Sequence, residues 1–176
     1  NQIRIHGIIV NGGLAPNVIP DYTKSKYYLR ATDIDTLHHL YAKVENIVKG
    51  AALQTGCIGS MKLYQHLVEN MVLTPSLDAV YETNLNELGQ TVTHHPDVVA
   101  PGSSDVGNVS QKVPTIQPHI AISDQKIAGH SIEFLAAAES QKGLASIGLG
   151  AKALALTALD LFEDASLLRK IKEDHA

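Results

Sequence analysis

The stretch that decides the first half of the fold is residues 3–30, IRIHGIIVNGGLAPNVIPDYTKSKYYLR. Apolar side chains at residues 3–10 predict one strand, and alternating side chains at residues 22–30 predict a second. Gly, Pro and Asn between them, at residues 11–21, predict a shaped loop, a kind of segment that often carries binding. A long hairpin connection with ordinary turn chemistry is the simpler interpretation, and this segment alone does not separate the two.

Composition bounds the class of protein. The chain has 176 residues, of which 44% are apolar and 18% are charged, as in a soluble globular protein of one domain or two small ones. The net charge is −4 without a basic cluster, so we expect no nucleic-acid partner. The single cysteine, Cys57, excludes an internal disulfide and a cysteine-rich zinc site. A cytoplasmic location is therefore expected.

The longest apolar stretch, residues 144–162, contains Lys152 and Asp160 together with several Ala and Gly. We interpret it as a buried helix and expect no membrane contact. No secretory signal pattern opens the chain. Because the chain begins at Asn1 and not at methionine, we expect that it was processed or is a fragment of something longer.

The first seventy residues predict the order strand, strand, helix, strand. Asp33 is the expected N-cap of an amphipathic helix over residues 34–55, and Gly56 is its expected stop. Residues 57–65 alternate and predict the third strand. This order is that of a split β-α-β sandwich without its opening strand and helix. One sheet face should then be covered by preceding residues or by another chain.

The second part of the chain predicts mainly helices. Pro75 should open a helix that ends at Gly89, and residues 91–102, with His94 and His95, predict a loop. The remaining expected elements are a polar turn at residues 103–111, a short strand at 116–122, and helices at 132–138, 144–163 and 165–174. The long apolar helix should be buried against a sheet. The fold class is therefore α+β, with domains at residues 1–70 and 71–176.

Spacing alone predicts no catalytic site. Nine histidines are present, but none forms the i, i+4 pair on a helix that zinc hydrolases use, and no nucleophile elbow, P-loop or dinucleotide fingerprint occurs. His130 is the exception, because it follows Gly129 and precedes a predicted helix that carries Glu133. In the simpler interpretation Ser131 caps that helix and His130 is merely exposed.

A set of motifs in one order along the chain carries a resemblance. The motifs are IHGII at residues 5–9, Gly12-Gly13, APNVIPD at 15–21, Arg30, GSSDVGNVS at 102–110, Val113-Pro114, GHS at 129–131, Glu133-Phe134 and KALA at 152–155. The set resembles the zinc aminoacylase, carboxypeptidase and amidohydrolase superfamily. The most similar branch holds aminobenzoyl-glutamate hydrolase subunits and aminoacylase-like dipeptidases. No single motif would be specific, but the ordered set is.

The resemblance implies a lid, or dimerisation, domain followed by the C-terminal part of a catalytic α/β domain. The family's lid is a β-α-β-β-α-β insertion, of which this chain would hold the last four elements. The first metal-binding histidine, the bridging aspartate, the acidic pair with the general base and the lid histidine would all lie outside the chain. The resemblance thus implies zinc, or another divalent metal, in the complete enzyme. It implies no catalytic residue and no bound metal in this chain alone.

The resemblance also assigns individual residues. His130 resembles the C-terminal metal-ligand histidine, and Arg30 and Asn17 resemble lid residues that bind the substrate carboxylate. Arg30 pairing with Asp33 or Asp35 is the structural alternative. A motif at the active-site rim supplies further substrate-binding candidates: Ser104, Asp105 and Asn108. The implied partners are a small amide or dipeptide substrate and a second copy of the chain, bound through the lid.

Two functions remain open from the sequence. The first is zinc-dependent hydrolysis of an amide or peptide bond in a small carboxylate-bearing substrate, with this fragment inactive alone. The second is a non-catalytic partial subunit, or dimerisation module, that lends substrate contacts to another polypeptide.

Overall fold

The computed structural model describes residues 3–93 and 102–175. A two-stranded antiparallel sheet and six helices are found in these ranges, which confirms the α+β class. The chain divides into two compact units, Asn1–Asn70 and Met71–Ala176, each described by itself below. The predicted histidine loop at 94 and 95 lies outside the described residues.

The first unit consists of strands β1 (Arg4–Asn11) and β2 (Lys24–Arg30) and helix α1 (Ile34–Thr55). The strands pair in the register Arg4↔Arg30, with an irregularity between Ile9 and Asn11. Side chains alternate between the two faces of a strand, so every second pair lies on one face. The bounds of these elements confirm the first two predicted strands and the helix, although β2 begins two residues later than predicted.

Both predicted ends of α1 are confirmed. A carboxylate oxygen of Asp33 accepts a hydrogen bond from the backbone N–H of Thr36 at 2.8 Å, the N-cap bond that a helix start needs. At the other end Gly56 has a φ of 68°, in the left-handed region, and its N–H donates to the carbonyl of Ala52. Local chemistry thus sets the length of this helix.

The third predicted strand, residues 57–65, is wrong: the structure has no regular element there. A strand is held by hydrogen bonds to a neighbouring strand, and the only described pairing is β1 with β2. Alternation of side chains is not sufficient without such a partner. The segment is tied to the sheet by a side chain instead, since the Tyr28 hydroxyl donates to Oε1 of Gln65 at 3.1 Å.

Helices are the regular elements of the second unit in its described part. Its helices are α2 (Pro75–Glu87), α3 (Val106–Ser110), α4 (Ile132–Ala138), α5 (Gln141–Glu163) and α6 (Ala165–His175). The predicted polar turn at residues 103–111 therefore contains one short helix. The strand predicted at residues 116–122 is wrong, because these residues are irregular and pair with no described strand.

The core of the second unit lies where α2 meets α5. Tyr81, Leu85 and Ala153 are buried there, with Leu149 and Ile116 packed against them. A polar bridge fixes the same contact: Nδ2 of Asn84 donates to Oδ2 of Asp160 at 2.6 Å. Helix α6 closes one end, where Oδ2 of Asp174 accepts from the backbone N–H of Ser76 at 2.9 Å. That backbone bond, followed by the Ser76 hydroxyl, lowers the pKa of Asp174.

Helix α5 is not buried against a sheet as predicted. Only Gly143, Ala153 and Thr157 are buried along it, and no described strand lies in its unit. Several large apolar side chains are exposed instead, namely Leu144, Ile147, Leu154, Leu159 and Phe162. By length and composition alone α5 could cross a membrane, a test that core helices of soluble proteins also pass.

Candidate functional site

The hairpin of the first unit places its basic side chains on one face. The cross-strand pairs Arg4↔Arg30, His6↔Tyr28 and Ile8↔Lys26 share that face, because they alternate with the other pairs. We call this the basic face. The opposite face carries Ile5 and Leu29, and Ile3, just before β1, lines a groove of about 390 Å³ with α1 side chains. Side chains of α1 thus lie near Ile3, whereas the segment that follows α1 reaches the basic face, where Oε1 of Gln65 accepts from the Tyr28 hydroxyl.

The loop between the strands is folded by its own hydrogen bonds. Oδ1 of Asn11 accepts from the N–H of Gly13 at 3.2 Å, and the carbonyl of Ala15 accepts from the N–H of Val18 at 3.2 Å. Gly13 has a φ of 108°, which an L side chain rarely adopts. Asn17 sits exposed within the Ala15–Val18 turn. A loop folded by turn hydrogen bonds is thus present, as both interpretations of the sequence expect.

Asn17 and Arg30 are not brought together. Asn17 lies in the connection that follows β1, whereas Arg30 ends β2 and pairs with Arg4 at the other end of the hairpin. From Lys24 to Arg30 the seven residues of β2 make six extended steps, which span about 20 Å. One small carboxylate cannot contact both side chains in this conformation, so Arg30 is the stronger candidate of the two.

Tyrosines connect the basic side chains, which the sequence interpretation missed. The Arg30 guanidinium carbon lies 6.0 Å from the ring centroid of Tyr28, and Nζ of Lys26 lies 5.4 Å from that of Tyr64. The two rings meet edge to face at 5.9 Å. A hydrogen bond with Tyr28, then desolvation, raises the pKa of Tyr64. The alternation of side chains along β2 predicts Lys26 and Tyr28 on one face of the strand. Nothing in the sequence indicates that Tyr64 lies beside them.

The rim motif forms a tight turn in the second unit. The Ser104 carbonyl accepts from the N–H of Gly107 at 3.1 Å, and the Asp105 carbonyl accepts from the N–H of Asn108 at 3.0 Å. The Ser104 hydroxyl accepts from the N–H of Val106 at 3.3 Å. The Asp105 side chain is exposed and makes no cap bond to α3. The structure therefore brings Ser104, Asp105 and Asn108 together, with the carboxylate facing solvent.

His130 has an unusual backbone. Its φ is 61°, and it is the single non-glycine with positive φ among residues 3–93 and 102–175. Such a conformation costs about 1–3 kcal/mol for a non-glycine residue and is concentrated at functional sites. The imidazole is exposed. A helix cap needs no strained residue before it, so this φ is not explained by capping alone.

The residues that follow His130 hold it in place. The Ser131 hydroxyl accepts from the N–H of Phe134 at 3.1 Å and donates to the carbonyl of Ala128 at 2.8 Å. Ser131 is thus the N-cap of α4, as the simpler interpretation requires. The pKa of Glu133 is lowered by its own backbone N–H and then by the Ser131 hydroxyl. The Ser131 cap and the exposed side chain of His130 are therefore both present in this turn.

A metal site cannot be completed from the described part of the chain. Within it, no three His, Cys, Asp or Glu side chains lie close enough together to hold an ion. Zinc sites need three or four such ligands. His130 could supply one of them, so the described residues fit at most a share of a metal centre.

Comparison with known proteins shows what the chain is similar to. No family model matches the chain. The chain is 39% identical to human Xaa-Arg dipeptidase over 177 residues and 36% identical to the mouse protein over 173 residues. These alignments cover 97% of this chain, but 39% and 40% of the relatives. The chain spans about two fifths of the length of these relatives.

A more distant relative comes from Escherichia coli (strain K12). The chain is 26% identical over 231 residues to a p-aminobenzoyl-glutamate hydrolase subunit, with 99% of this chain and 47% of that protein covered. The relatives are thus named as dipeptidases and as a subunit of a hydrolase. The resemblance to the aminoacylase and dipeptidase amidohydrolase superfamily, predicted from the ordered motifs, is confirmed.

Proposed function

We propose that this chain is the lid and the C-terminal part of the catalytic domain of a zinc-dependent amidohydrolase. The enzyme would hydrolyse an amide or peptide bond in a small substrate that bears a carboxylate. The observation that carries the proposal is similarity to Xaa-Arg dipeptidases along 97% of the chain. A dipeptide with C-terminal arginine is accordingly the first substrate to test.

Arg30 is the residue proposed to bind the substrate carboxylate. Its guanidinium lies at the open end of the hairpin and is held beside the ring of Tyr28. A guanidinium offers two parallel N–H donors that match a carboxylate, and a lid can deliver them when it closes. Asn17 would reach the same ligand only by rearrangement of its loop or from a second subunit.

His130 is proposed as this chain's contribution to the metal centre. The left-handed φ fixes its position at the start of α4, and the exposed ring is accessible to a metal. The remaining ligands would come from outside the described residues. Ser104, Asp105 and Asn108 are proposed to line the rim.

The chain alone is proposed to be inactive and to bind no zinc tightly. The support is that it corresponds to two fifths of the relatives' length and offers His130 without a described ligand cluster. A cytoplasmic homodimer, joined through the lid, completes the proposal. The same observations favour the second candidate, a non-catalytic partial subunit that lends Arg30 to another polypeptide.

Experiments on the natural protein, purified from its source, distinguish the zinc-dependent hydrolase from the non-catalytic partial subunit. Its intact mass should exceed 18.9 kDa, and it should hydrolyse an Xaa-Arg dipeptide or p-aminobenzoyl-glutamate in a zinc-dependent manner. The 176-residue chain should retain no zinc after dialysis. A natural protein of 18.9 kDa that is inactive with zinc would support the partial subunit. One or two tightly held zinc ions on the 176-residue chain would contradict the assignment of its residues.

In the active enzyme, Arg30→Ala should raise KM or lower kcat/KM. A charge-assisted hydrogen bond of about 1.5–3 kcal/mol would be lost. Arg30→Lys should restore only part of the activity, because the two-donor fork is missing. Unchanged kinetics with a lower Tm in Arg30→Ala would remove Arg30 from the site and leave it a structural partner of Asp33 or Asp35.

A further inference from the structure

A groove on the basic face has the size of a small-molecule site. Its volume is about 350 Å³, and it is lined by His6, Gly7, Ile8, Lys26, Tyr28 and Tyr64. Small-molecule sites begin at about 300 Å³. The groove lies wholly within the first unit, between the hairpin and the segment that follows α1.

The groove carries positive charge and no negative charge from its lining residues. None of its six lining residues is acidic, while Lys26 contributes an ammonium group and His6 an imidazole beside Tyr28. A cleft lined by one sign of charge raises the local concentration of the opposite ion. The complementary ligand group is therefore an anion that accepts hydrogen bonds from an ammonium group.

The walls of the groove are flat and apolar. The Tyr28 and Tyr64 rings stand at 62° to each other, and Ile8 leaves 65% of its surface exposed beside them. Gly7 has no side chain, and the Tyr27 ring on the other face occupies the space that a Cβ would need. Aromatic rings gain free energy from offset-stacked or edge-to-face contact with another ring, so these walls suit an aromatic ligand.

The side chains that line the groove are also preorganised by contacts with one another. The Tyr28 hydroxyl donates to Gln65, which holds the Tyr64 segment against the strand. Lys26 is held over the ring of Tyr64 by a cation–π contact. A ligand would therefore meet an ammonium group and two rings that are already ordered, which lowers the entropy cost of binding.

We propose that the groove formed by His6, Lys26, Tyr28 and Tyr64 is a binding site for a small aryl carboxylate. The carboxylate pairs with the Lys26 ammonium, and the aryl ring packs against Tyr64 and Ile8. The site uses neither Arg30 nor His130. It is independent of the proposed hydrolysis, since binding is measured on this chain without metal or substrate turnover.

The test is an NMR titration of the isotope-labelled 176-residue chain with three probes: benzoate, the neutral isostere benzamide, and acetate, which has the charge without the ring. Benzoate should shift the signals of His6, Lys26 and Tyr64 and bind more tightly than either other probe. Lys26→Gln and Tyr64→Leu should each weaken benzoate binding about fivefold or more, as expected for a cation or a ring that contacts the ligand.

The matched control is Lys49→Gln, which removes the same charge from α1, where Lys49 pairs with Glu45 at 3.0 Å. It should leave benzoate affinity unchanged. Equal weakening by Lys26→Gln and Lys49→Gln would mean general charge attraction and overturn the proposal. Benzamide binding as tightly as benzoate, or no shift at the groove with any probe, would overturn it as well.

Discussion

The first unit buries little of its own side-chain surface, whereas the second has a helical core. Among described residues, Leu40 is the one buried apolar side chain of the first unit, while Leu77, Tyr81, Leu85, Ala153 and Ile171 are buried in the second. The first unit is ordered by strand pairing, helix caps and the tyrosine contacts. The first unit thus keeps its basic and aromatic side chains accessible to ligands, whereas the second unit buries apolar side chains in its own core.

The largest expected effect lies in the helical core. Ile171, on α6, is 1% exposed, so Ile171→Ala should destabilise the chain by about 2–5 kcal/mol through lost burial and an unfilled cavity. Urea unfolding followed by circular dichroism measures it. Phe162→Ala, at a side chain 86% exposed, is the control and should change the free energy of unfolding by less than about 0.5 kcal/mol. Equal effects would mean that the Ile171 side chain is not buried as the structure shows.

A pair of glycines tests the same contrast between the units. A Cβ on Gly143 would meet the backbone carbonyls of Ala137 and Ala138, which cannot move aside without separating α4 from α5. Gly143→Ala should cost about 1–3 kcal/mol. A Cβ on Gly7 would meet only the Tyr27 ring, half of which is exposed and can turn away. Gly7→Ala should therefore cost less, and a larger loss from Gly7→Ala in thermal unfolding would reverse the comparison.

His130→Gly should stabilise the second unit and, in the active enzyme, abolish metal-dependent turnover. Glycine adopts the φ of 61° without steric cost, so a gain of about 1 kcal/mol is expected. The Tm of the chain and the zinc content of the active enzyme are the two measurements. A stability gain with full activity would make His130 an ordinary residue at a helix start.

The smallest effect concerns the N-cap of α1. The backbone N–H of Thr36 holds the pKa of Asp33 below its ordinary 3.8. A lowered pKa in the folded state gives stability that is complete above pH 3.8 and is lost as the pH falls through the folded value. Asp33→Asn should remove this pH dependence and retain the cap, because its amide oxygen still accepts.

The control for that titration is Asp35→Asn, in the first turn of the same helix. It should leave the acid dependence of α1 helicity, followed by circular dichroism, as in the parent chain. If Asp35→Asn removed the dependence and Asp33→Asn did not, the cap would not be the group that titrates.

The helix ends that depend on neighbouring residues could be predicted from the sequence. The start of α1 at Asp33, its end at Gly56, the start of α2 at Pro75 and the cap at Ser131 all depend on residues within one turn. The strands at residues 57–65 and 116–122 were wrong because a strand depends on a distant partner that alternation does not reveal. Of the candidate site, the sequence supplied the residues of the loop, Arg30 and His130, but not the contact of Tyr64 with Tyr28.

The sequence by itself determined the α+β class, the helix ends and, through the ordered motifs, the resemblance to the superfamily, since these depend on residue types at fixed spacings. Only the tertiary structure decided that α5 leaves most of its apolar side chains exposed and that Lys26, Tyr28 and Tyr64 surround one groove. The physical reason is that burial and side-chain contact depend on pairs of residues far apart in the chain. Their meeting is set by packing and by the pairing of β1 with β2.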